Sequence, residues 1–476
     1  MLAIGTAAAV YFARLDLTLS HYDARGHLIV ARRIFDNLTP GWIQIGAVWL
    51  PLPHLLNALP AQWDWHYQTG VSGVVLSILP LALGLSALGG YLAGRAGSVV
   101  VGIAAALAVL LNPSVLYLQS TPMTEPLLFG LSCLALVAVD RWTSDPTDVA
   151  ERIAGVTLLA LMLTRYEGWC ITGTLLVLAT LAHPRRALRL VAYPVAAVVG
   201  FMLLSYGSTG AWFVTSGFFD PSNPALGNPV LALQQIADGA TRLSHLGLVV
   251  MGAVGALATL ALAWTDRHAG RAAIARALLP LSLLAAAALP LYAFTSGHPV
   301  RIRYMVSTVV ALTVLSALVV CRLPRRVRTP AAVVALALLL AGVPPIDPEA
   351  PMVREAQWER PYSEARRVVT AALAERWDGS PILASMGSLG HYMQQMSHPG
   401  FHVRDFVHEG NGVLWWDAVR APERHVRWIL IEESAEGGDV LAQRARTSPA
   451  FLAHFTRVAD GGGVALYVRT ESGIRP

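Results

Sequence analysis

About eleven stretches of this chain are apolar for long enough to cross a lipid bilayer, or nearly so, and no soluble fold buries that many. They run roughly over residues 2–19, 69–94, 98–115, 126–140, 152–165, 168–183, 189–207, 245–265, 276–295, 302–321 and 330–344. Composition agrees: 55% of the residues are hydrophobic and 14% charged, where soluble domains carry about 25% charge. The first run lacks a basic segment before it and a clear A-x-A cleavage site, so it reads as a retained span or signal anchor.

Charge orients these spans. All 35 cationic side chains are arginines, and the net charge is +5. With Met1 cytoplasmic, the inside loops hold Arg95, Arg141, Arg185, Arg186, Arg267, Arg271, Arg322, Arg325, Arg326 and Arg328. The positive-inside rule predicts that clustering, so the basic balance speaks for topology and not for nucleic acid. The opposite loops are 20–68, 116–125, a turn near 166, 208–244, 296–301 and everything from about 345. Residues 1–344 are thus expected to form the membrane part. Residues 345–476, opening on the proline-rich V-P-P-I-D-P-E-A-P, are expected to form a small extracytoplasmic α/β domain. In it Tyr362–Trp377 and Leu441–Phe455 read as helices. Pro381–Ala384, Val426–Glu432 and Gly463–Val468 read as strands, and Asp460-Gly-Gly-Gly as a hairpin turn. His391, His398, His402 and His408 follow no metal spacing and are expected at the surface. Cys133, Cys170 and Cys321 all lie in apolar runs, where neither a disulfide nor a zinc site is expected.

The 20–68 loop breaks the charge rule with Arg25, Arg32 and Arg33. Its tryptophans, Trp42, Trp49, Trp63 and Trp65, favour the membrane interface. On a helix starting near Ser20, Asp23 and His27 share a face. The plain reading makes Ser20 the helix cap and Asp23 its favourable first-turn acid. The alternative makes Asp23 a carboxylate facing a cavity and able to take a proton from a hydroxyl, with His27 hydrogen-bonded to it. His21, Asp23 and His27 also leave a divalent cation open.

Further charges recur at the ends of apolar runs on the same side. Glu125 in T-P-M-T-E-P opens a span, with Thr124 as its expected cap. Arg165 and Glu167 in L-T-R-Y-E-G-W form either a mutual ion pair or a phosphate contact, since charges at membrane depth face a cavity or each other. Arg301, Arg303 and Tyr304 follow G-H-P-V, either snorkelling to the interface or facing the site. The aromatic stretch W-F-V-T-S-G-F-F-D-P-S-N-P reads as a lid over the site, with Asp220 as a turn residue.

Several of these pieces carry a resemblance: Y-D-A-R-G-H-L-I-V-A-R (22–32), P-G-W-I-Q-I-G-A-V-W-L-P-L (40–52), N-P…Q-S-T-P-M-T-E-P-L-L (112–128), L-T-R-Y-E-G-W (163–169) and R-I-R-Y-M-V (301–306). In architecture, over residues 1–340, the chain resembles the GT-C class of membrane glycosyltransferases. It is similar to the family-39-like enzymes that use polyprenyl-phosphate sugars, such as protein O-mannosyltransferases and the bacterial transferases that put aminoarabinose on lipid A. The family often has two adjacent acids in the first loop, where this chain has Asp23 followed by Ala24.

The resemblance implies an inverting transfer of a sugar from a polyprenyl-phosphate donor to a lipid, glycan or protein hydroxyl, at the outer face of a bacterial plasma membrane. It makes Asp23 the base, and gives Glu125 and His27 the acceptor. Arg303, with Arg301, Arg165 and Tyr304, would hold the donor phosphate. It fixes no cofactor and leaves a divalent metal open. A transporter or flippase of polar lipids is the alternative; it predicts internal repeats with broken helices, which the sequence does not display. An acyl or phosphoryl transferase would need a formed nucleophile or metal cluster.

Overall fold

The computed structural model describes residues 1–214, 219–265, 268–435 and 437–470. Its membrane body opens with α1 (Leu2–Arg14), α2 (Tyr22–Arg32), α3 (Leu52–Asn57), α4 (Asp64–Thr69), α5 (Val71–Ala96), α6 (Val99–Leu110) and α7 (Pro113–Leu118). It continues with α8 (Glu125–Ser144), α9 (Asp148–Met162), α10 (Glu167–Ala182), α11 (Pro184–Thr209), α12 (Pro229–Ser244) and α13 (Leu246–Thr265). The helices α14 (Arg271–Leu278) and α15 (Ala288–Thr295) are joined by a 3-10 stretch, and α16 (Val306–Arg322) and α17 (Arg325–Gly342) close the body. Among the described residues, six helical segments are long and apolar enough to cross a membrane, and three more apolar helices are shorter. The protein is an integral membrane protein.

The helices pack through small residues, as membrane helices do when no water drives them together. At the crossing of α5 and α8, a Cβ on Gly84 would overlap the Gly130 backbone, and one on Gly130 would overlap the Pro80 carbonyl. The helices α5, α8, α10 and α16 all start at one end of the body. The far ends of α5, α8 and α16 carry Arg95, Arg141 and Arg322, and Arg185 opens α11 just past the far end of α10, which fits the expected clustering. There Asp140 accepts from Arg95 at 3.0 Å and from Arg276 at 3.2 Å. Arg267 lies outside the described residues.

At the near end sits the C-terminal domain: α18 (Pro351–Glu355), α19 (Arg360–Ala365), α20 (Arg367–Arg376), β1 (Ile382–Ala384), α21 (Met386–Gln395), β2 (Phe406–Val407), α22 (Val413–Arg420), α23 (Pro422–His425), β3 (Trp428–Glu432), α24 (Val440–Thr447), β4 (Phe455–Gly461) and β5 (Val464–Arg469). The sheet order is β2-β1-β3-β5-β4. β1 runs parallel to both its neighbours, and β5 antiparallel to β3 and β4. Gly462 and Gly463, with φ of 55° and 79°, turn the β4–β5 hairpin where the sequence places it. The expected helix Leu441–Phe455 is shorter: it stops at Thr447, because Pro449 cannot continue it, and Phe455 opens β4. The expected helix Tyr362–Trp377 is broken at Arg366.

The helix α2 is where the two parts meet. Ala24 belongs to the membrane core, whereas Leu28 and Ile29 pack with Leu389, Tyr392 and Leu430 in the core of the C-terminal domain. The 20–68 segment was expected to lie on the membrane surface. Trp42, Trp63 and Trp65 are exposed as that requires, but α2 is sandwiched and largely buried. The three rule-breaking arginines of this segment are staples. Arg25 donates to Ser363 at 3.1 Å and Gln395 at 3.2 Å. Arg32 pairs with Asp36 at 2.9 Å and Asp64 at 2.6 Å. Arg33 donates to the Gln44 and Ile45 carbonyls. Of the tail histidines, His398 is exposed as expected and His402 partly so, but the other two depart from expectation. His408 is fully buried, and burial lowers its pKa to about 3. His391 is enclosed against Arg366, its pKa likewise lowered to about 3 by burial.

Candidate active site

The near ends of α2, α8, α10 and α16 and the short α18 converge on one cluster of charge. Its first member comes from the turn between α1 and α2. Ser20 does not cap α2; its hydroxyl donates to the Leu17 carbonyl at 3.1 Å and lies 3.0 Å from the Tyr117 hydroxyl. The cap is His21, whose Nδ1 accepts the Asp23 N–H at 3.1 Å. Asp23 therefore sits in the first turn, where the helix dipole favours a carboxylate.

Asp23 forms an ion pair with Arg303, and their side chains are 9% and 11% exposed. Arg303 comes from a 3-10 turn, Ile302–Met305, that opens α16. Its guanidinium stands 5.2 Å from the Tyr304 ring and 5.9 Å from the Tyr22 ring, which supply aromatic faces to a cation. Its Nε has no hydrogen-bond partner among the described residues. Arg301 lies over the Trp358 ring at 5.3 Å, and the Tyr304 ring meets His298 at 5.4 Å.

Sequence reasoning missed Glu355, the last residue of α18. Its carboxylate accepts the Ile302 N–H at 2.9 Å and faces His21 Nε2 at 3.7 Å. Burial opposes its ionisation, but His21, Arg303 and the Ile302 N–H outweigh that and hold its pKa below the usual value. Burial lowers the pKa of His21. The only signal for Glu355 was an acid within the apolar A-P-M-V-R-E-A stretch.

Arg165 and Glu167 do pair, at 2.9 Å, and Arg165 also reaches Glu125 at 3.0 Å and donates to the Thr124 hydroxyl at 3.1 Å. Its guanidinium, expected to reach a lipid phosphate, is thus engaged by two carboxylates. Thr124 precedes α8, but its side chain makes no cap bond.

His27 does not bond Asp23. Its Nδ1 lies 3.1 Å from His54 Nε2, and the Trp49 ring covers it at 4.2 Å. His54 Nδ1 lies 3.1 Å from the Leu50 carbonyl and donates to it, so His54 Nε2 accepts and His27 Nδ1 donates. Burial drives both pKa values down, His54 to about 3. Beside this pair lies a cavity of about 20 Å³, room for one water, lined by His27, His54, Asn57 and Thr124 among others. Among the described residues no group of three or more His, Cys, Asp or Glu is placed to hold a metal ion. Asp220 is a turn residue as expected, accepting from the Ser222 N–H at 2.9 Å. Residues 215–218 of the expected lid lie outside the described residues.

Chemically, this cluster sets an acceptor of protons, Asp23, beside a fixed cation, Arg303. A second caged acid, Glu125, stands behind a second guanidinium.

No family model and no curated protein matches the chain. Among solved structures, it is similar to ArnT from Cupriavidus metallidurans bound to undecaprenyl phosphate, with a TM-score of 0.55 and 14% identity over 100% of this chain and 99% of that one. It is equally similar to ArnT of the same organism in the apo state, with a TM-score of 0.54 and 15% identity over 100% and 98%. The fold of this chain is that of ArnT: a polytopic helical membrane body of GT-C architecture carrying a small C-terminal α/β domain.

Proposed function

We propose that this protein is a membrane glycosyltransferase. It moves a sugar from a polyprenyl-phosphate donor to an acceptor hydroxyl, with its site and C-terminal domain on the extracytoplasmic side of a bacterial plasma membrane. The observation that carries this reading is the Asp23–Arg303 pair at the near ends of the helices, in a chain whose fold matches ArnT along its whole length. The ArnT structure held undecaprenyl phosphate, and a lipid phosphate of that kind suits the geometry. Its tail stays among the helices while its head meets the cluster.

In the proposed reaction Asp23 takes the proton of the acceptor hydroxyl. The hydroxyl oxygen attacks the anomeric carbon, and the bond from that carbon to the phosphate oxygen breaks with inversion. The electrons go to the phosphate, whose added charge Arg303 stabilises with its remaining donors, helped by Arg301 and by Tyr304 beneath the guanidinium. Arg165 holds Glu125 toward the acceptor. His27, neutral and locked to His54, shapes the wall beside α8. Glu125 already has a guanidinium as its counter-cation.

The test is sugar transfer by purified wild type and Asp23→Asn from a panel of polyprenyl-phosphate sugars, with and without EDTA. Transfer that survives EDTA and is lost in the variant supports the reading. Undiminished transfer by the variant removes Asp23 as base, and loss in EDTA brings a metal into the site. No transfer from any donor overturns the assignment as a glycosyltransferase.

A further inference from the structure

The proposed base and the proposed phosphate cation come from chain segments that share no secondary structure. Asp23 rides on α2; Arg303 rides on the 3-10 turn before α16. Besides their own ion pair, one side chain reaches toward both segments. Glu355 accepts the Ile302 N–H at 2.9 Å, one residue before Arg303. Its other oxygen faces His21 Nε2 at 3.7 Å, and His21 Nδ1 in turn accepts the N–H of Asp23. Because Nδ1 accepts, the neutral imidazole carries its proton on Nε2, pointing at the carboxylate. Both His21 Nε2 and Glu355 Oε1 are buried without a hydrogen-bond partner among the described residues. Two complementary buried groups held just beyond bonding distance fit a contact that tightens when substrate binds, as hydrogen bonds at catalytic sites commonly do.

We infer that Glu355 is a positioning residue: through Ile302 and His21 it sets the separation of Asp23 and Arg303, and so the geometry of the transfer step. This rests on the glycosyltransferase reading above. Glu355 touches neither reactant, and it belongs to the segment leading into the C-terminal domain, so that segment takes part in building the site.

The test uses the full-length protein in micelles with the donor that wild type accepts. Glu355→Ala, Glu355→Gln and Asp23→Asn are compared with wild type, and kcat is expressed per donor-binding site. Expected is a fall in kcat for Glu355→Ala of about 10²-fold, the scale of a displacement near 1 Å, with the donor KM changed by less than about threefold. Glu355→Gln, which keeps an acceptor for Ile302, recovers most of that loss. A Glu355→Ala variant with wild-type kcat per site, or one that only lowers the fraction of molecules able to bind donor, overturns the inference while Asp23→Asn stays inactive. Wild type inactive with every donor fells the transfer reading and this inference together.

Discussion

Asp23 and Arg303, far apart in the chain, meet as an ion pair that is nine-tenths enclosed. Each is the other's counter-charge, so neither can be removed neutrally. Arg303→Gln leaves a buried carboxylate unpaired, which costs about 3–5 kcal/mol. Adding Asp23→Asn to Arg303→Gln restores most of that stability, while transfer stays absent in Arg303→Gln, in Asp23→Asn and in the double variant. Thermal unfolding in micelles with a parallel transfer assay checks this; additive losses in the double variant would contradict it.

The Arg165 guanidinium holds two acids, Glu125 and Glu167, whose side chains are 2% and 3% exposed. Arg165→Ala is expected to be among the most destabilising single changes in the membrane body, losing about 3–5 kcal/mol. Arg165→Lys restores charge but not the fork that spans two carboxylates, and recovers only part. Yield of folded protein after extraction, together with unfolding midpoints, decides it.

Leu28 is fully buried and belongs to the core of the C-terminal domain although it sits on α2. Leu28→Ala lowers stability by about 2–5 kcal/mol. Its effect also reaches Asp23, five residues away on the same helix, so kcat falls while donor binding is kept. Limited proteolysis then cuts between α17 and β1 faster than in wild type; unchanged cleavage would refute the docking role of α2.

His54 and His408 are kept neutral by burial, each with its pKa lowered to about 3, whereas an unfolded chain titrates near 6.5. Between those values the unfolded state binds protons that the folded state refuses. Stability therefore falls as pH drops from about 6.5 toward 3, by at most about 1.4 kcal/mol per pH unit for each group. Unfolding midpoints between pH 7 and pH 5 measure the slope, and His54→Gln is expected to reduce it by one proton's share.

The helices of the membrane body were legible because a helix in lipid must be apolar along its length. Each expected run holds a helix or, at 276–295, an interrupted one, although among the described residues only six segments are long and apolar enough to cross a membrane. Three strands of the small sheet were legible from their short β-branched runs, but β2, with two residues, was too brief to leave a pattern. The charges around Asp23, Glu125, Arg165 and Arg303 stood out because they interrupt apolar sequence. Their partners did not. His27 pairs with His54 because α3 folds back beneath α2, a tertiary fact that no spacing encodes. His21 took the capping place expected of Ser20, since Tyr117 claims the serine hydroxyl. The buried tail histidines were missed because their burial depends on α2, Asn37 and Arg366, contacts between remote segments.

The sandwiched position of α2 has a consequence for modularity. A chain ended after α17 would lose Glu355 and strip the cover from Leu28 and Ile29, leaving the helix that carries Asp23 with one wall where it needs two. The membrane body is therefore not a self-sufficient unit with an accessory attached. The two parts share α2 as a common wall, and a chimera with a foreign C-terminal domain needs the matching α2 surface to keep Leu28 and Ile29 covered.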